Sequence, residues 1–224
     1  MPAQLTDRGR VRENNEDAMA SRVPAGPAER ARRGCFFAVA DGLGGLSRGE
    51  VASRIAVETA AAAYDREPVA GPWLREAALE ANRAVFDANR PTPSDPMATT
   101  LTLGLLTPDL LRVAHVGDCR LYRLRGNSFA PLTTDHAESR HVLTRALGTA
   151  PAVEADYREW PVDPEDRYLL CSDGLYSAAG DDEMGERVAG LDAESACREL
   201  VDLANRRGGP DNITVIIFRA SEAR

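Results

Sequence analysis

Residues 35–53 read CFFAVADGLGGLSRGEVAS, and this stretch changes its physical character twice. The apolar run 35–40 is too short for a helix and ends on an Asp-Gly pair, which predicts a buried β-strand. Beyond the glycines, Ser47-Arg-Gly-Glu50 is a capping-box pattern, and Val51, Ile55 and Thr59 follow it at helical spacing. A strand, an acidic turn and a helix are therefore expected in that order. Further strands are predicted over 98–106, 111–116, 119–124, 167–171 and 213–218, each short, rich in β-branched, Leu or aromatic residues and bounded by turn residues. Gly71-Pro72 opens a second helix with Leu74, Ala78, Ala81 and Val85 on one face. Asp192 caps a third, whose buried stripe is Cys197, Leu200, Val201 and Ala204. The strands cluster into antiparallel hairpins with paired helices early in the chain. Two packed sheets covered by helices fit this order better than a doubly wound parallel sheet.

The 224 residues form no internal repeat, and the one linker-like stretch is 91–96, so a single domain over 1–224 is expected. A chain of this length buries enough surface to fold without disulfides or structural metal. With 43% hydrophobic and 28% charged residues it is an ordinary globular chain rather than a disordered or fibrous one. Its net charge of −8 argues against nucleic acid and anionic membrane as partners. No apolar run reaches the roughly 18 residues of a membrane span, and MPAQLTDRGR has no signal-peptide core, so a cytoplasmic location is expected. A monomer is expected as well. All 27 basic residues are arginine. The absence of lysine excludes P-loop hydrolases, protein kinases and Schiff-base enzymes, each of which needs one. Cys35, Cys119, Cys171 and Cys197 are scattered, which fits reduced thiols and gives no zinc signature.

The position of the aspartates carries the functional signal. Asp41, Asp118 and Asp173 each follow a predicted strand, and Asp211 precedes one. In an antiparallel sheet the end of one strand lies beside the start of its neighbour, so all four carboxylates can gather at one edge. Any single Asp-Gly or Asp-Asn is ordinarily a turn. Four such ends beside the tract Asn14-Asn-Glu-Asp17 instead suggest hard oxygen ligands for Mg²⁺ or Mn²⁺, because clustered like charges need cations.

Seven motifs then occur in one order: R12-E-N-N-E-D17, A40-D-G-L-G-G-L-S-R-G-E-V-A-S53, V116-G-D-C-R-L-Y122, T134-D-H136, L143-T-R-A-L-G148, L170-C-S-D-G-L175 and G209-P-D-N-I-T-V215. The series resembles the bacterial branch of the metal-dependent type 2C (PPM family) protein serine/threonine phosphatases, over nearly the whole chain. The resemblance implies an α+β fold, a four-layer α/β/β/α sandwich, with two Mn²⁺ or Mg²⁺ ions at one end. It implies that Asp41 bridges both ions, that Gly42 offers its carbonyl, and that Asp173 and Asp211 each bind one ion. Glu16 and Asp17 match an acidic pair that holds water around the ions. Asp118 matches the ligand of a weak third ion, and Arg12 matches an arginine that holds the substrate phosphate. Water would attack phosphorus directly, and the partners implied are phosphoserine and phosphothreonine proteins together with a cognate kinase.

Two positions depart from the pattern. Leu43 stands where many eukaryotic members have a histidine, which leaves His136 or water as proton source. The flap that relatives carry between T134-D-H136 and L143-T-R-A-L-G148 is cut to a few residues, leaving an open cleft. Two other classes compete. Cys119 and Arg125 have the C-x5-R spacing of thiol-dependent phosphatases, but the bulky Arg-Leu-Tyr-Arg-Leu between them suits a strand rather than a phosphate-binding loop. A catalytically weak phosphoprotein-binding regulator would be expected to have lost metal aspartates, and this chain keeps all of them.

Overall fold

The structure is a computed structural model that describes residues 1–43, 48–66, 73–90, 94, 96–139 and 142–224. The first half of the chain runs β1 (Ala3–Asp7), β2 (Asp17–Arg22), α1 (Pro27–Arg33), β3 (Cys35–Asp41), α2 (Gly49–Arg66), α3 (Trp73–Asn89), β4 (Leu101–Leu106) and β5 (Leu110–Val116). Next come β6 (Arg120–Arg125), β7 (Ser128–Pro131), the short pair β8 (Ala137–Ser139) and β9 (Val142–Leu143), and β10 (Asp156–Pro161). The chain closes with β11 (Arg167–Cys171), α4 (Asp173–Tyr176), α5 (Asp181–Gly190), α6 (Ala193–Arg206), β12 (Ile213–Arg219) and a 3₁₀ turn at Ala220–Ala223.

Two five-stranded antiparallel sheets result, in the orders β1-β12-β11-β6-β7 and β10-β5-β4-β3-β2. Successive side chains of a strand point to opposite faces, so a strand with both faces covered is apolar throughout. In β3, Phe36, Ala38 and Ala40 join the core beneath α2 and α3, where Ala56, Ala60, Leu74 and Val85 meet them. Cys35, Phe37 and Val39 turn to the opposite sheet and pack among Leu121, Tyr168, Leu170 and Phe218. On that sheet's outer face Leu169, Cys171, Val215 and Ile217 share a third core with Met184, Val188, Leu200 and Ala204 of α5 and α6. Helix, sheet, sheet and helix thus form the four layers expected.

Local differences have physical reasons. The strand expected from residue 98 begins at Leu101, because Thr99 leaves the ladder to bridge Gly42 and Leu147. Cys119 sits in the turn before β6, which shifts that strand by one residue. Asp192 caps α6 as expected, its carboxylate accepting from the Ser195 N–H at 3.0 Å. The expected cap Ser47, the opening Gly71-Pro72 and most of 91–96 lie outside the described residues. In place of a flap, Thr134–His136 and Thr144 are joined by the β8–β9 hairpin.

Between the sheets, the rings of Phe37 and Phe218 stack at 3.9 Å, and Tyr168 stacks on Phe218 at 5.0 Å. Phe37 and Phe218 are fully buried. Phe37→Ala should therefore cost about 3–5 kcal/mol of unfolding free energy, the range for deleting a buried ring. Urea denaturation followed by circular dichroism measures this, and Phe37→Leu should lose much less.

Candidate active site

Strand registers bring the acidic ends to one edge. Asp41 closes β3, and Asp17, which opens β2, is its partner across the pair. Asp41 also lies beside the start of β4, where its N–H donates to Thr100 Oγ1 at 2.8 Å. Its carbonyl accepts from Thr99 Oγ1 at 2.8 Å and from the Thr100 N–H at 2.9 Å. Leu101 of β4 pairs with Val116 of β5, so the Gly117–Asp118 turn comes to the same end. Gly117 has φ +106°, and a Cβ there would lie 2.5 Å from Thr100 Cγ2, so the turn needs glycine on both counts. In the other sheet Cys171 pairs with Val215 and with Arg120. Past those rungs stand Asp173, Asp211 and Asp118.

Side chains join the two sheets at this edge. Ser172 Oγ donates to Asp17 Oδ2 at 2.7 Å and accepts the Thr214 N–H at 3.0 Å. Buried Asn212 accepts the Glu16 N–H at 2.8 Å and donates through Nδ2 to the carbonyls of Arg8 and Asn14, both at 2.9 Å. That one amide pins the segment 8–16 that carries Arg12. Gly42 donates its N–H to the Glu16 carbonyl at 3.0 Å. A Cβ on Gly42 would sit 2.4 Å from the backbone of Gly49, so glycine is what lets α2 start directly against the site.

The cluster is electrostatically expensive. Burial, and then the charges of Asp17, Asp173, Asp118 and Asp211, hold the Asp41 carboxyl well above the ordinary range. Burial with Asp173 and Asp211 pushes Asp17 up to about 7, even though hydrogen bonds from Thr214 and Ser172 oppose the shift. Burial and the charges of Asp173 and Asp135 push Asp118 to about 7. Glu16 is raised chiefly by burial. Arg12 Nη2 donates to Asp211 Oδ2 at 2.7 Å in a half-exposed pair.

This donor set fits hard divalent cations. It is all oxygen, its carboxyls are held near charges of their own sign, and Asp17 Oδ1 is buried without a hydrogen-bond partner among the described residues. No three His, Cys, Asp or Glu among the described residues close on a single point tightly enough to enclose an ion. That suits Mg²⁺-like ions, which use one or two carboxylates and complete their shell with water and backbone carbonyls.

Two candidates from the sequence do not present themselves at this edge. Cys119 is fully buried, with Sγ 3.2 Å from Thr100 Oγ1, and burial with the charges of Asp41 and Asp118 pushes its thiol far above the usual range. A nucleophilic thiolate is excluded there. Arg125 lies at the opposite end of β6, forked onto Asp166 at 2.7 and 2.6 Å. His136 is buried, its Nδ1 3.2 Å from the Gly117 N–H and its Nε2 3.4 Å from Asp156 Oδ1. It holds the fold beneath the site. Asn212, Ser172, Thr99 and Thr100 escaped the sequence reading as positioning residues. Asn212→Ala should lower stability by about 1–3 kcal/mol by stranding buried backbone groups. In hydrogen exchange, the loss of protection should concentrate at residues 8–16.

Residues 8–211 match the protein phosphatase 2C family. The serine/threonine protein phosphatase PstP of Mycobacterium tuberculosis is 35% identical over 238 residues, covering 96% of this chain. The chain spans only 44% of the length of PstP. Serine/threonine phosphatase stp of Listeria welshimeri is 33% identical over 243 residues, covering 95% of this chain and 92% of that protein. The crystal structure of the PstP catalytic domain in complex with two manganese ions superposes with a TM-score of 0.83 at 35% identity, covering 97% of this chain and 96% of the other. With 8–211 matched by the family and these relatives covered over nearly its whole length, this chain belongs to the protein phosphatase 2C family.

Proposed function

We propose that the chain is a metal-dependent protein serine/threonine phosphatase, a single catalytic domain over 1–224. The observation that carries this reading is the group of half-buried carboxyls forced together at one sheet edge, with Arg12 beside them. Asp41, Asp173 and Asp211 would hold two Mn²⁺ or Mg²⁺ ions together with the Gly42 carbonyl, and Asp118 a weaker third. When bound, such ions bring the pKa of water toward neutrality and offset charge on phosphoryl oxygens. Glu16 and Asp17 stand beside these ligands as hydrogen-bond acceptors for water.

Arg12 supplies the substrate contact. Among the described residues its guanidinium engages Asp211 through Nη2 alone, at 2.7 Å. With Asp211 given over to a cation, the Arg12 guanidinium would be free to present a planar fork to two oxygens of a phosphate. With Cys119 buried and His136 turned inward, no side chain of this edge offers itself as nucleophile among the described residues. Water attacks phosphorus, and water returns the proton to the leaving hydroxyl. The substrates are phosphoserine and phosphothreonine proteins, the products of a cognate kinase. The family resemblance and the two manganese ions of PstP support this reading.

Hydrolysis of p-nitrophenyl phosphate should require Mn²⁺ or Mg²⁺, vanish with a chelator and survive a thiol alkylating agent. Loss on alkylation with persistence in chelator would overturn the proposal. Asp41→Asn and Asp211→Asn should each reduce kcat by about 100-fold or more, since each ion contributes several kcal/mol of charge stabilisation. Arg12→Ala should instead raise KM for a phosphopeptide by roughly tenfold, the scale of one hydrogen bond to a charged group.

A further inference from the structure

Arg120 opens β6 two residues after Asp118, and its guanidinium is held on three sides. Nε and Nη2 fork onto Asp135 at 2.9 and 2.7 Å. Nη1 donates to the Tyr122 hydroxyl at 3.1 Å. The guanidinium carbon lies 3.7 Å from the centroid of the Tyr176 ring. Tyr176 ends α4, the single helical turn that Asp173 opens, and its hydroxyl donates to the Asp118 backbone carbonyl at 3.1 Å. A closed circuit results, running from Asp118 along the chain to Arg120, across to Tyr176 and back to Asp118.

The position of this circuit gives it a task. The β6–β11 ladder ends at the Arg120–Cys171 pair, and Asp118 and Asp173 lie two residues past it on the two strands. Beyond that last rung the ladder no longer fixes how far apart the two carboxylates stand. Two carboxylates of like charge placed past the last rung would relax apart if nothing restrained their backbones. Asp118, Arg120, Asp135 and Tyr176 border a cleft of about 490 Å³, lined also by Ala137, Glu138 and Ser177.

We infer that Arg120 and Tyr176 are positioning residues: their stacked contact, anchored by Asp135, sets the separation of Asp118 and Asp173 and with it the affinity of the weaker cation site. The inference rests on the metal-dependent reading above. The contact needs a planar cation that stacks with its face while forking through its edge, and lysine provides neither property. Tyrosine supplies both the ring for the stack and the hydroxyl for the Asp118 carbonyl.

The test is Mn²⁺ binding to the metal-stripped protein, followed by calorimetry and by electron paramagnetic resonance of the free ion, without substrate. Arg120→Lys should weaken the lower-affinity class about tenfold, the scale for groups that orient metal ligands. Tyr176→Phe keeps the stack and loses the hydroxyl, and should weaken the same class by a smaller factor. The tighter class should stay within about twofold in both variants. A purely structural role would lower the melting temperature while leaving the isotherm in place, and that result overturns the inference. Should Arg120→Lys fail to fold, Tyr176→Phe decides alone, and an isotherm identical to the parent's refutes the clamp. A parent protein that binds no Mn²⁺ would instead bring down the metal-dependent reading, and the clamp with it.

Discussion

Repulsion among carboxylates held at one sheet edge is the constraint on which the rest of the structure depends. Two like charges about 4 Å apart interact by about 4 kcal/mol at an effective dielectric constant of about 20. Asp41 feels four other aspartates in addition to its own burial. A flexible chain would spread such charges into solvent, and here the backbone prevents that. Asp41 is tied through its N–H and carbonyl to Thr99 and Thr100, Asp17 is tied by register to Asp41, and Asn212 fastens the Arg12 segment to the start of β12. These bonds belong to the scaffold and hold whether or not the carboxylates are neutralised. The arrangement is preorganised for positive charge, and it is bought with stability that the three cores supply.

Those cores explain which parts of the fold were legible in the sequence. The six predicted strands are β3, β4 and β5 of one sheet and β6, β11 and β12 of the other, and these are the interior strands. Most are covered on both faces and appear as apolar runs that local composition reveals, while β6 shows itself through buried Leu121, Tyr122 and Leu124 set between arginines. β1, β2, β7 and β10 are the sheet edges, and all four escaped the reading. Edge strands carry polar residues such as Arg158 and Glu159 of β10, which keep an open ladder from pairing with other chains and erase the strand signal. The helices divide similarly. α3 and α6 bury regular stripes that the sequence displays, whereas α5 buries only Met184, Gly185 and Val188.

The candidate site was legible as positions but not as supports. An acidic residue at a strand end can be read from the chain, because antiparallel pairing alone brings such ends together. Asn212, Ser172, Thr99 and Thr100 act by hydrogen bonds to backbone groups far away in sequence, and such partners exist only once the register is set. Arg120 and Tyr176 meet for the same reason. Burial, which spacing does not encode, removed the two decoys: Cys119 lies sealed beneath the site and His136 faces Gly117 and Asp156.

The central claim is that the carboxylate cluster opposes folding until cations join it, and thermal unfolding of metal-free Asp41→Asn tests it most directly. The substitution keeps the backbone bonds to Thr99 and Thr100 and deletes one charge. The variant should melt above the metal-free parent, by roughly 2–4 °C for each kcal/mol of repulsion relieved. Added Mn²⁺ should raise the melting temperature of the parent and barely move that of the variant. A variant that melts below the parent, with a parent indifferent to Mn²⁺, would mark Asp41 as an ordinary structural turn and contradict the account.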